Sequence, residues 1–351
     1  MSSVVVNSTE LTGFVSRLFE RLGMPTQDAD LVADTLVWAD LRGMGTHGVL
    51  RVPTYVDRIR SGEVVADPDL EVDRRRAAVA VVRGGQAQGQ VAFDRGAITA
   101  VDMARTAGIG WVSIVDATHA GAIGYFTQRM ARNGMAALAI AASKPTMTYH
   151  GSRGAAVSTS PLAMAVPAEN DTVVGIDMAT AAISRGRLKL HRISGEPLPD
   201  GSAVDEEGRR TVDPDRAVVP QPLGGPKGSG MSLLFECFAN VLGGFPLLEP
   251  SLSGRLDRHA QGGVICAIDI GAFRDLGAFA HDVTALTRAI KAAPTAEGVD
   301  ELLLPGERGD RVAEERRRLG IPLPDATWQQ LVDLGRQLDE TPPAPTVEPQ
   351  Q

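Results

Sequence analysis

Two cysteines in 351 residues, Cys237 and Cys266, are too few for a disulfide framework and wrongly spaced for a zinc site. Both lie in apolar stretches (LLFECFANVL and GGVICAIDI), which predicts two reduced, core-packed thiols and no metal. No apolar run approaches the ~18 residues that span a bilayer, and no basic-then-apolar leader opens the chain. A membrane span is therefore excluded and a cytoplasmic protein expected. Positive charge is also short. The 35 Lys and Arg face 43 Asp and Glu, and the net charge of −8 repels phosphate polymers and acidic lipid, so no nucleic-acid partner is expected. A small anion remains admissible, because a few arginines can grip it locally. No G-x-G-x-x-G joins a strand to a helix, and GGPKGSG lacks the spacing that wraps a triphosphate. No internal repeat is present.

What remains is an ordinary globular composition, 43% hydrophobic and 22% charged, long enough for one large or two moderate domains. Leu11, Phe14, Leu18 and Leu22 recur at helical spacing after Ser8. Thr26 opens a second helical segment ending at Gly43, and a third helix is expected over Val52 to Ser61. From about Ala77 the texture changes. AAVAVVRG, GIGWVSIVD, MAALAIAAS, PLAMAVP and TVVGIDMA are short, nearly continuous apolar runs that suit strands covered on both faces. Amphipathic helices separate the first three, which makes a mixed α/β domain. Residues 193–222 read as a polar surface excursion, followed by a glycine-rich opening to a long apolar helix and one more strand, VICAIDI. The expected division is a helical segment over 1–75 packing with a helical C-terminal part over 223–340, an α/β domain over 76–222, and a proline-rich, disordered tail over 341–351.

The residues able to do chemistry cluster where strands meet helices. Thr46-His47-Gly48 precedes Arg51 and Tyr55, which share a helix face if a helix starts at Val49. A guanidinium beside an imidazole suits a carboxylate next to a carbonyl or hydroxyl; a solvated helix start is the other reading. Asp116-Ala117-Thr118-His119 ends a strand, where α/β proteins place catalytic groups, although a loop histidine can equally cap a helix. Ser143-Lys144-Pro145 follows another strand. Asp177, ahead of Met178 and Ala179, ends an apolar strand, where a carboxylate is costly unless paired, and a histidine is the partner expected for it. Lys227 among glycines could receive a phosphate.

Taken together, ADLRGMGTHGVLRVPTYVDRI, THAGAIGYFTQRMARNGM, GIDMAT, GGPKGSG, and LPGE with GIPLPDATW resemble the type-2 malate/L-lactate dehydrogenase family, in order, over about residues 8 to 335. That family includes ureidoglycolate and L-sulfolactate dehydrogenases, 2,3-diketo-L-gulonate reductase and Δ1-piperideine-2-carboxylate reductases; HAGAIGYFTQ and GPKG look most like ureidoglycolate dehydrogenase. The resemblance implies a nicotinamide-binding α/β domain that is not Rossmann-type, and a homodimer with active sites near the subunit interface. It casts His119 as the acid/base, His47 with Asp177 as a polar relay, and Arg51 as a carboxylate clamp with Tyr55 and Thr46 lining the same pocket. His119, Ser143, Asp177, Met178, Ala179, Lys227 and Gly306 fall on positions similar to the family's cofactor contacts, for NAD or NADP with NAD favoured.

The implied reaction is hydride transfer between nicotinamide and a small 2-hydroxy/2-oxo acid such as malate, lactate or ureidoglycolate. Reduction of a cyclic imine, or binding of a metabolite without turnover, are the alternatives. Thr46, Thr118, Ala120, Gly151-Ser152 and Ser158-Thr159-Ser160-Pro161 depart from the family pattern and cluster where substrate should sit, which leaves the substrate open.

Overall fold

The computed structural model describes residues 3–256 and 258–346. A short strand, β1 (Ser3–Val6), leads into α1 (Ser8–Glu20), α2 (Thr26–Leu41) and α3 (Val52–Arg60). Asn7 caps α1 by accepting from the amides of Thr9 and Glu10, two donors that a helix start leaves free. Pro53 sits in the first turn of α3, where a missing N–H costs nothing.

The chain then runs through β2 (Glu71–Arg76), β3 (Val79–Ala87), α4 (Gly89–Ala107), β4 (Ile109–Ala117), α5 (Gly124–Arg132) and β5 (Met135–Ser143). A small hairpin follows, β6 (Met147–Thr148) with β7 (Ala155–Val157), then β8 (Leu162–Pro167) and β9 (Val173–Met178). The polar excursion holds α6 (Arg185–Ser194) and a three-stranded sheet of β10 (Ala203–Val204), β11 (Arg210–Thr211) and β12 (Val219–Pro220). Helix α7 (Pro226–Glu236) continues through a π turn at Cys237–Val241 to α8 (Leu248–Leu252), β13 (Gln261–Asp269), α9 (Leu276–Lys291), α10 (Glu307–Leu319), β14 (Ile321–Pro324) and α11 (Asp325–Gln337).

Two cores result. Leu11, Phe14 and Leu18 of α1 pack with Leu36 of α2 and Val56 of α3, closed by Ala313, Ile321, Leu323 and Leu331 from the far end of the chain. Pairing of β1 with β14 ties the two ends together. The second core lies on the central sheet, ordered β2-β3-β4-β13-β5-β8-β9, in which only β3 and β4 run parallel. Helices α4 and α5 cover one face with Phe93, Met103, Phe126 and Met130. Phe235 and Ala239 cover Trp111, Leu138 and Leu162 on the other. Both faces are apolar, as the unbroken runs required.

Three expectations need correction. The sheet draws strands from outside 76–222: β2 lies before it, and β13 comes from the stretch assigned to the helical C-terminal part. VICAI is apolar on both faces and needs a neighbour on either side, which it finds between β4 and β5. Cys266 is buried, which pushes its thiol up to about 11, but Cys237 is exposed. It sits in a helix that is apolar all round, so periodicity could not tell which side faces inward. Of the tail expected to be disordered, the described part reaches Thr346, whose amide donates to the Val5 carbonyl at 2.7 Å; residues 347–351 lie outside the described residues.

Candidate active site

The strand register gathers the candidates at one end of the central sheet. Gln261, which opens β13, stands opposite both Ala117 at the end of β4 and Ser143 at the end of β5. Leu162 stands opposite Met178 at the start of β8 and end of β9. His119 therefore emerges beside the segment that precedes β13 and the turn after β5.

The loop between α2 and α3 meets His119 from the helical side. Tyr55 is buried, and its hydroxyl lies 2.6 Å from His119 Nδ1. The His47 ring stacks on His119 at 5.9 Å between centroids, 21° apart in plane. Thr46 Oγ1 lies 3.0 Å from His47 Nδ1, and Arg51 Nε donates to the Thr46 carbonyl at 2.7 Å. Burial pushes His47 down to about 4, with Arg51 adding to the effect. Burial also drives His119 well below the ordinary histidine range, assisted by Arg51 and His47. Both imidazoles are neutral near pH 7. Asp40 holds the loop from behind, accepting from the Val49 amide at 2.7 Å. A Cβ on Gly48 would fall 2.0 Å from that carboxylate, so only glycine lets the loop approach so closely.

Asp177 does not pair with a histidine. It accepts from the Gly124 amide at 2.8 Å, at the start of α5, and burial raises it to about 6 against the opposing pull of that amide and of Arg42. The reason is geometric: β9 is the sheet's edge, α5 packs over it, and a helix start offers a free N–H. The His47–Asp177 contact expected from the sequence is thus absent among the described residues. Ser143 Oγ lies 3.1 Å from Ser158 Oγ, while Lys227 is exposed in the first turn of α7. Gly306, at φ +86°, lies against β9: a Cβ there would meet the Gly175 carbonyl at 2.9 Å, and Arg42 Nη2 donates to its carbonyl at 2.9 Å.

Four site residues escaped the sequence reading. Gln88 and Gln90, in the AQGQ opening of α4, reach the Tyr55–His119 pair, and Gln261 Oε1 accepts from the Ala120 amide at 3.0 Å. His259 lies two residues before β13; its Nε2 is buried and lacks a hydrogen-bond partner among the described residues. Burial, then Arg58, Lys144 and Arg51, lower its pKa to about 4, and His259 in turn acts on His119. Arg51, Arg58 and Lys144 thus place positive potential at His259, and Arg51 and Arg58 also place it at His119, surroundings that favour an anion. Only the double glutamine around Gly89 could have signalled any of this in the sequence.

The malate/L-lactate dehydrogenase family model matches residues 6–332. The chain belongs to that family. It is 30% identical to the L-sulfolactate dehydrogenase of Methanothermobacter thermautotrophicus, over 95% of this chain and 97% of that protein. Identity is 31% to the ureidoglycolate dehydrogenase (NAD(+)) of Escherichia coli strain K12, over 88% of this chain and 90% of the relative. It is 32% to the (2R)-3-sulfolactate dehydrogenase (NADP(+)) of Chromohalobacter salexigens, over 89% and 92%. Among solved structures, the malate dehydrogenase of Entamoeba histolytica superposes with a TM-score of 0.91 at 25% identity, covering 97% of this chain and 99% of that one. The Δ1-piperideine-2-carboxylate reductase of Pseudomonas syringae gives 0.81 at 27%, covering 94% and 99%.

Membership makes this family member an oxidoreductase acting on CH–OH groups, and its dehydrogenase relatives imply a nicotinamide cofactor. The residues present fit such a group without a Rossmann turn. The small, buried residues Ala120, Gly121 and Ala122 lead into the start of α5 without a bulky side chain, and Lys227 offers an exposed ammonium at the start of an eleven-residue helix. No described helix is long and apolar enough to cross a membrane.

Proposed function

We propose that the chain interconverts a small 2-hydroxy acid and its 2-oxo partner with NAD, the nicotinamide accepting or giving the hydride when bound. Arg51 grips the carboxylate, and His119 bonds the reacting oxygen. Met178, Ala179, Ser143, Asp177, Lys227 and Gly306 hold the cofactor. The observation that carries this reading is a neutral imidazole, His119, held by Tyr55, under the charge of Arg51 and directly ahead of the small-residue loop that leads into α5. The positive potential that Arg58, Lys144 and Arg51 place at His259 supports a second anionic group on the substrate, as in malate or sulfolactate, the substrates in several relatives' names. Likeness to the E. coli enzyme named for NAD(+) favours NAD; the Chromohalobacter relative named for NADP(+) makes both cofactors part of the assay.

The test is oxidation of NADH and NADPH by the purified protein against malate's and sulfolactate's 2-oxo partners, pyruvate, and cyclic imines. Turnover of the dianionic 2-oxo acids is expected. Turnover confined to cyclic imines would replace this reading with the second one, which the likeness to the piperideine-carboxylate reductase keeps in view. His119→Ala is expected to lower turnover about 10²–10⁴-fold, the usual share of a general acid/base, while the melting temperature stays put.

We also propose a homodimer. Leu233, Leu234, Phe238, Val241 and Leu242 are each at least 45% exposed on one helical stretch, and exposed apolar side chains grouped on one element mark a contact surface.

A further inference from the structure

A chain of amides ends on the candidate acid/base. Gln88 Nε2 donates to the backbone carbonyl of His119 at 3.1 Å and to Gln90 Oε1 at 2.7 Å. Gln90 Nε2 donates to the Tyr55 hydroxyl at 3.4 Å, and that hydroxyl lies 2.6 Å from His119 Nδ1. A carbonyl oxygen can only accept. The atom of Gln88 facing it is therefore the amide nitrogen, which makes the facing atom of Gln90 its oxygen and turns the nitrogen of Gln90 to Tyr55. The Tyr55 oxygen then accepts from Gln90, and its single proton has one partner left, His119 Nδ1. A neutral imidazole that accepts at Nδ1 carries its proton on Nε2.

We infer that Gln88, Gln90 and Tyr55 are positioning residues that fix His119 as the Nε2–H tautomer, presenting a neutral N–H donor to the substrate oxygen. Nε2 makes no hydrogen bond among the described residues, so it is the ring atom left for a ligand. The surroundings keep the ring neutral. Burial is the main cause, and Arg51, His47, His259 and Arg58 all oppose a second positive charge. Burial also outweighs Arg51 in raising the Tyr55 phenol, so in the resting site its proton stays on oxygen and Tyr55 orients the ring. His119 therefore polarises a 2-oxo group as a neutral N–H donor, the pattern by which a depressed histidine serves a carbonyl elsewhere. As hydride reaches the carbon, the Nε2 proton passes to the substrate oxygen while Nδ1 takes the Tyr55 proton, which water restores, and in the oxidation direction the protons run back along the same path. This inference rests on the proposed function for its substrate, but the tautomer itself does not.

The test is a long-range ¹H–¹⁵N spectrum of ¹⁵N-histidine-labelled protein at neutral pH, with the His119 signals identified by their loss in His119→Gln. A bare Nδ1 and a protonated Nε2 are expected in wild type, and a mixture of tautomers in both Tyr55→Phe and Gln90→Leu. Tyr55→Phe should lower kcat for 2-oxo acid reduction between about twofold and tenfold, the worth of one such hydrogen bond, with KM little changed. An Nδ1–H tautomer or an imidazolium in wild type overturns the inference. So does a wild-type pattern that survives in both variants. If the pattern is as expected and no 2-oxo acid or imine is reduced, the proposed function fails and the tautomer assignment stands.

Discussion

Lys144 shows how one charge can separate substrates that share their reacting carbons. Its charge acts on His259 together with those of Arg58 and Arg51, the proposed carboxylate clamp. A substrate with one carboxylate uses Arg51 alone; a dianion also uses Lys144. Lys144→Ala should therefore raise KM for a dianionic 2-oxo acid about tenfold, the scale of a charge-assisted bond, while moving that for pyruvate far less. Equal losses on both substrates, measured in steady-state assays, would place Lys144 elsewhere. At the same scale, Asp40 carries a pH dependence. Burial raises it to about 7 in the folded protein from an ordinary 3.8, so its contribution to stability is fully present below pH 4 and is lost as pH rises through 7. Asp40→Asn keeps an acceptor for the Val49 amide without the charge. Thermal melts should show the variant gaining on wild type between pH 5 and pH 8; parallel curves would mean that Asp40 does not titrate there. His47, Arg51, Tyr55 and His119 were legible because their types and spacing state a chemistry. His259 and Gln261 were not, since a residue before an apolar strand gives no hint of which strand ends it will join.

Helix α4 is the element that couples the sheet to the site. Its first residue, Gly89, is pressed against the loop carrying His119: a Cβ would lie 2.3 Å from the Thr118 carbonyl oxygen and 2.5 Å from the His119 carbonyl carbon. Backbone cannot swing aside as a side chain can. Gly89→Ala should cost about 1–3 kcal/mol of stability, the usual penalty of overpacking, and also reduce activity by shifting His119. The control is Gly13→Ala, inside α1, where the nearest neighbour is the flexible tip of Arg17 at 3.3 Å. There alanine should gain up to about 1 kcal/mol from helix propensity. Urea titrations of both variants check the pair, and similar changes would show that contact at Gly89 is not what matters. The helices and most strands were legible as elements because their apolar periods are clean. The place of β13 was not, since an apolar run says that it is covered on both sides but not by which strands.

At the scale of the whole molecule, the apolar surface sits where the monomer has least use for it. Helix α9 has no buried side chain along its sixteen residues, and Phe273 just before it is 78% exposed. The α7 stretch buries Phe235 and Ala239 against the sheet and turns Leu234 and Leu242 outward, at 57% and 62% exposure. A helix apolar on both sides is a buried helix, and a single chain covers only one of the two. In the proposed homodimer the second copy would supply the other, in an isologous contact, the commonest symmetric arrangement. Light scattering on the eluting protein should therefore give twice the chain mass. The double substitution Leu234→Lys with Leu242→Lys should return it to the chain mass, because burying unpaired ammonium groups in the proposed interface is costly. The residues beneath that face, Phe235 and Ala239, cover the sheet strand that ends at Ser143, so separation should also weaken NADH binding, measured by fluorescence titration of the variant. A wild-type protein that elutes at the chain mass would end the dimer reading. A variant monomer that binds NADH as tightly as wild type would leave the dimer intact and detach it from the cofactor site.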